Sequence, residues 1–194
     1  MAERVSDAKV ALKDLQVETQ YKYGLNLQGR IITMSGEIDE GWFDMVDSGM
    51  SLLEAESEEE PITIRLHSPG GLLFEAMAIV GRIKASKCHV VTEGYGEIMS
   101  ACCLLLAAGD TRRLSKYAWF MWHEPNMGIA SGTRMSEVVH SAKQLEKEWD
   151  RWCGWMAEFT GKEQAFWVKT GKHLDKYFTP DEAKDVGVVD EVVG

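Results

Sequence analysis

Ser100 is the lone hydroxyl in an apolar run that begins at Ile98, within the stretch EGYGEIMSACCLLLAAGD, residues 93–110. A serine attacks a carbonyl only when a base takes its proton and nearby donors receive the charge that develops on oxygen. Ser68-Pro69-Gly70-Gly71 marks a tight turn after a strand, where backbone N–H groups stand clear of side chains. His123 closes the aromatic segment YAWFMWHEP just before Glu124-Pro125, which puts an imidazole at a strand end. A carboxylate to orient that imidazole has to come from a separate element. HLDKYFTPDEAKDVGVVD, residues 173–190, offers Asp175, Asp185 and Asp190, and chemistry alone does not separate them. Each piece also has a plain reading: a helix-capping serine, a strand-to-helix turn, a structural histidine. His67 precedes the glycine turn, while His89, His140 and His173 lack a supporting setting. The G-x-S-x-G elbow of the α/β-hydrolases is absent.

Such groups need elements to hold them. RIITMSG, residues 30–36, reads as a β-branched strand closed by glycine. The next segment carries Phe43, Val46, Met50 and Leu53 at helical spacing before a solvated acidic end. Ile62–Leu66 reads as a second strand running into the Ser-Pro-Gly-Gly turn, and Leu73–Ile83 as a helix. CHVVTEG is a third, short strand; a glycine-bearing loop follows, and Ser100 opens the next helix. Tyr117–Pro125 is an aromatic strand cut off by proline. This alternation predicts an α/β layered domain with largely parallel strands. Residues 1–28 are polar and read as an N-terminal arm, with one domain over 29–194.

The longest helical signal covers about 133–160, where Val138, Ala142, Leu145, Trp149, Trp152, Met156 and Phe159 form one apolar stripe. A helix of that length spans about 40 Å, more than a small domain needs to cover itself, so part of the stripe is expected on another subunit.

Hydrophobic residues make up 45% and charged residues 27% of the 194, as in ordinary globular chains. A net charge of −10 without any basic run argues against nucleic acid or an anionic membrane as partner. Cys88, Cys102, Cys103 and Cys153 form no metal-type spacing and read as reduced, buried thiols. No secretory signal and no membrane-length apolar run is visible, which predicts a cytoplasmic protein without metal or cofactor.

Taken in order, HSPGG, GEIMSACCLLLAAG, FMWHEP and DKYFTPDEAKDVGVVDEV resemble the proteolytic-subunit family of Clp protease, ClpP, from about Gly29 to the C-terminus. GRIITMSGEID matches that family's first strand. The resemblance implies a ClpP/crotonase-like spiral of ββα units with a long protruding handle helix, here about 133–160. It implies Ser100 as nucleophile, His123 as general base and Asp175 as the orienting acid. The backbone N–H groups of Gly71 and Ala101 match the oxyanion hole. It further implies stacked, heptameric rings forming a tetradecamer, an AAA+ unfoldase of ClpX or ClpA type, and peptide or unfolded protein as substrate.

Ile98 and Met99 stand where the family has two alanines, Ala101 where it has Met, and His67 where it has Asn. Other readings share the scaffold: a catalytically silent structural ring subunit, or a protease of viral assembly and maturation that works without an ATPase. A crotonase-type acyl-CoA enzyme would not need the serine, histidine and aspartate. A serine–lysine dyad has a better base here in His123.

Overall fold

The computed structural model describes residues 17–194. Of the expected arm, residues 1–16 lie outside the described residues, α1 is helical over 17–23, and β1 (Leu25–Asn26) already belongs to the sheet. There follow β2 (Ile31–Ser35), α2 (Trp42–Glu56), β3 (Ile62–Ser68), α3 (Leu73–Lys84), β4 (Val90–Met99), α4 (Cys102–Ala107), β5 (Thr111–Ser115) and β6 (Trp119–Trp122). The chain ends through α5 (Met135–Thr160), α6 (Gln164–Gly171), β7 (Lys176–Phe178), α7 (Pro180–Asp185) and β8 (Glu191–Val193). Strands β2, β3, β4, β5 and β8 run parallel in that order, with β1 antiparallel on β2. The expected parallel α/β fold is thus present. Among the described residues no helix is long and apolar enough to cross a membrane.

The sheet departs from a simple ladder at β4. Its first half pairs with β5, Val91 through Gly94, and its second half pairs with β6, Glu97 through Met99. On its other side β3 passes from the Leu66–Gly94 pair to the Ser68–Ile98 pair, so β4 bulges between them. Gly96 takes φ 61 at the bulge, and a Cβ there would lie 2.7 Å from the His67 ring. This corrects the reading of EGYGEIM as a loop. The glycines lie inside a ten-residue strand and bend it.

β5, the segment TRRLS, is held as a strand by charge as much as by apolar contact. Arg65, Glu93, Arg113 and Glu191 stand at paired positions on β3, β4, β5 and β8. Arg65 Nε lies 3.0 Å from Glu93, and Arg113 reaches Glu93 at 3.4 Å and Glu191 at 2.9 Å.

The long helix matches its expected span within two residues. Its second half buries Trp149, Trp152 and Met156 on the body. Trp122 of β6 stacks on Trp149 with centroids 5.1 Å apart, and meets Trp167 of α6 edge-on at 5.7 Å. The Trp122 indole donates to the Trp167 carbonyl at 3.1 Å. The first half behaves differently: Met135 is 76% and Val139 47% exposed.

Two arginines make fixed ties outside the sheet, Arg30 to the loop after α2 and Arg82 from α3 to α2. Arg30 is buried and donates from Nε to Pro61 O and from Nη2 to Ser57 O and Glu60 O. Arg82 forks onto Glu54 at 3.0 and 2.7 Å and also reaches Asp47 at 2.7 Å. The hydrogen bond from Arg82 holds the Glu54 carboxyl below its ordinary value of 4.5, with burial opposing and Ser86 assisting.

Exchange of Arg30 for Met keeps the apolar stem but leaves three carbonyls without their donor. The expected loss is about 3 kcal/mol, read as a lower urea midpoint at unchanged slope; a loss below about 1 kcal/mol would show that water replaces the guanidinium. Because folding lowers the Glu54 pKa, the stability it contributes is present above about pH 4.5 and is lost as pH falls through the folded value. Glu54→Gln should therefore flatten the acid limb of a stability–pH curve, and an unchanged limb would assign acid sensitivity elsewhere.

Candidate active site

The turn after β3 is built by its own side chain and by a single bridge to Ile38, beyond the end of β2. Ser68 Oγ accepts from the Gly70 N–H at 3.1 Å. Ile38 donates to Gly70 O at 2.8 Å and accepts from Leu72 N–H at 2.7 Å. The bridge therefore takes the carbonyl before Gly71 and the amide after it, and leaves the Gly71 N–H unused. Neither residue tolerates a side chain. A Cβ on Gly71 would lie 2.2 Å from Ile38 O, and one on Gly70 would lie 2.6 Å from the Ser100 Cβ. Gly70 also brings the turn against Ala101, whose amide nitrogen would be 3.2 Å from that same Cβ.

Ser100 is the first residue after β4, with Ala101 between it and α4. Its N–H donates to Met121 O at 2.9 Å, which fixes it to β6. Its φ is 55, a left-handed value that costs a non-glycine residue about 1–2 kcal/mol. The helix begins two residues later at Cys102, with Ala101 as cap, so Ser100 is an elbow and not the capping serine of the plain reading. Among the described residues, its hydroxyl and the N–H groups of Gly71 and Ala101 have no hydrogen-bond partner. The thiols that follow are inert in character. Burial pushes both Cys102 and Cys103 up, and Cys103 Sγ turns to Met121 O at 3.0 Å.

His123 follows β6 by one residue, and β6 is the parallel neighbour of the second half of β4. Met99 pairs with Met121, so Ser100 and His123 leave adjacent strands at the same sheet edge. Antiparallel β7 brings up Asp175. Met121 pairs with Tyr177 and Trp122 with Lys176, and one further step along both strands sets His123 opposite Asp175. The His123 Nδ1 to Asp175 Oδ1 distance is 3.5 Å, an ion-pair separation, with the imidazole 13% and the carboxylate 56% exposed. The other two candidates are elsewhere. Asp190 is taken by Arg112 Nη2 at 2.6 Å, and Asp185 lies on α7 against Val186 and Phe166 around a separate hollow. His67 turns its Nδ1 to the Tyr95 carbonyl at 3.1 Å and braces the β4 bulge. Ser100, His123 and Asp175 thus share one edge, and Gly71 and Ala101 flank the serine.

Glu124 escaped the sequence reading, since a strand-end Glu-Pro draws attention only as a strand stop. It lines a cavity of about 280 Å³ together with His123, Asn126, Gly171, His173, Leu174 and Asp175.

All four cysteines are free and buried, as expected, and burial raises Cys153 to about 12. An aromatic disulfide reagent at pH 8 should leave the native protein unmodified and titrate four thiols after unfolding; rapid native labelling would show that α4 opens.

The chain matches the sequence model of the family described as Clp protease over residues 16–194. It is 31% identical over 171 residues to the ATP-dependent Clp protease proteolytic subunit 2 of Corynebacterium glutamicum, covering 86% of this chain and 83% of that one. Against proteolytic subunit 1 of Corynebacterium jeikeium it is 30% identical, with 86% and 88% covered. Against proteolytic subunit 3 of Rhodococcus jostii it is 33% identical over 168 residues, with 84% and 81% covered. With the α/β sheet and its serine-bearing elbow, these matches establish that the chain belongs to the Clp protease family and is a serine-type peptidase.

Proposed function

We propose that the chain cleaves peptides or unfolded proteins by a Ser100–His123–Asp175 triad inside a ring-shaped oligomer. The observation that carries this reading is the 3.5 Å approach of His123 Nδ1 to Asp175 Oδ1 at the edge where Ser100 ends β4. Asp175 accepts from the Nδ1–H of the imidazole and leaves Nε2 as the base. As the Ser100 hydroxyl attacks the peptide carbonyl, Nε2 takes its proton and the carbonyl π pair moves onto oxygen. The unused N–H groups of Gly71 and Ala101 receive that oxyanion. Collapse of the tetrahedral adduct breaks the C–N bond; His123 returns the proton to the leaving amine, and an acyl-enzyme remains. Water then attacks the ester with His123 again as base, which releases the second fragment and restores Ser100.

The exposed first half of α5, which bares Met135 and Val139, supports assembly with further copies, in two stacked heptameric rings. Feeding by an AAA+ unfoldase of ClpX or ClpA type follows from the relatives, each named an ATP-dependent proteolytic subunit. Met99 is partly exposed beside the serine, with Ile98 buried beneath it, and these bulky neighbours support a cleavage preference of this chain's own.

Ser100→Ala and His123→Ala should each lower turnover of a short fluorogenic peptide by on the order of 10⁶, and the double variant by little more. The wild type alone should label with a fluorophosphonate. The assembly mass should be fourteen times the 21.8 kDa of one chain in all four proteins. Wild-type protein that neither cleaves nor labels in an intact ring would overturn the catalytic reading, and an additive double variant would remove His123 from the triad.

A further inference from the structure

Asp175 has little of its own to hold it in place. It is more than half exposed, and His123 is its sole ion-pair or hydrogen-bond partner among the described residues. Residues 172–174 before it are exposed as well, and the β7 ladder begins only at Lys176. What fixes the approach to Asp175 is a single residue just beyond β6. The Glu124 N–H donates to Gly171 O at 2.9 Å, and the Glu124 Oε1 accepts from the His173 N–H at 3.2 Å. Glu124 therefore grips both ends of the turn from 171 to 173.

The turn needs gripping. His173 has φ 74, a left-handed value rare for a histidine, and its ring Nδ1 stands 4.0 Å from the same carboxylate oxygen. At the other end Gly171 is wedged between Trp149 and Trp122, where a Cβ would come within 2.6 and 2.7 Å. The chain thus leaves a rigid aromatic wedge, makes one strained turn, and reaches Asp175 two residues later. Among the described residues only Glu124 spans that interval, by its N–H at Gly171 and its carboxylate at His173.

The geometry points to Glu124 as a positioning residue, one that holds the 171–173 turn so that Asp175 meets His123. This inference rests on the catalytic reading above for its effect on turnover, but the grip itself does not. Reach is the requirement and charge is not, since the bond is accepted from a backbone N–H. Glutamine keeps the reach and an acceptor oxygen, whereas aspartate keeps the charge and falls one methylene short.

The test compares Glu124→Gln, Glu124→Asp and Glu124→Ala in the full chain by amide hydrogen exchange and by peptide cleavage. Exchange over residues 172–176 should quicken about tenfold in the Asp and Ala variants and stay within about twofold of wild type in Gln. For the same two variants kcat should fall about tenfold with KM within about twofold, and in an Asp175→Ala background the substitutions should change nothing further. Unchanged local exchange, equal effects of Asp and Gln, or full additivity with Asp175→Ala would each overturn the inference. Should wild-type protein prove inactive, quickened exchange confined to 172–176 would still uphold the grip, and the failure would belong to the catalytic reading.

Discussion

The fork in β4 is the constraint on which the rest of the molecule depends. A strand that kept one partner along its whole length would end beside β5, with β6 left to find an edge elsewhere. Because β4 bulges at Tyr95–Glu97 and changes partner, its last three residues lie against β6, and β6 in turn receives β7. Three chain segments far apart in sequence thereby end at one place. The bend requires a left-handed residue at 96 and a ring from His67 braced against the carbonyl of Tyr95. The backbone groups freed by this exposed bulge are in part recovered by that ring.

Around this edge rigidity is unevenly distributed. Trp122, Trp149, Trp152 and Trp167 make an aromatic block behind His123, tied by an indole hydrogen bond to the Trp167 carbonyl. The indole N–H groups of Trp149 and Trp152 are buried without an acceptor among the described residues, a cost accepted for the packing area that the rings bring. Ser100 is equally confined, between a backbone bond to β6 and the glycine turn. The Asp175 side is held by far less. Such an arrangement keeps Ser100 and His123 fixed while leaving the Asp175 carboxylate at the more exposed rim.

Most of this was legible residue by residue, for reasons that differ. Ser100 and His123 stand out because an isolated hydroxyl and an imidazole at a strand end contrast with apolar surroundings. The long helix is legible because a 3.6-residue period is a local property. Asp175 is a different matter: three late aspartates share one chemistry, and only the β6–β7 register and the Arg112 contact of Asp190 separate them. EGYGEIM reads as a loop since glycine weakens isolated strands, and pairing on both sides overrides that tendency. TRRLS hides a strand because the charges that stabilise it, Glu93 and Glu191, lie on other strands. Glu124 is invisible for the same reason: its role exists only once the turn beyond Gly171 is folded back onto it.

The left-handed conformation of Ser100 also sets a direction for genetic drift. Glycine would relieve the torsional cost at this elbow, and asparagine would lessen it, so a lineage with no use for the hydroxyl would gain on the order of 1 kcal/mol by abandoning serine. Relaxed selection should therefore leave a recognisable scar in this lineage, in which position 100 loses its hydroxyl while the glycine turn and the aromatic block, which answer to packing, persist unchanged.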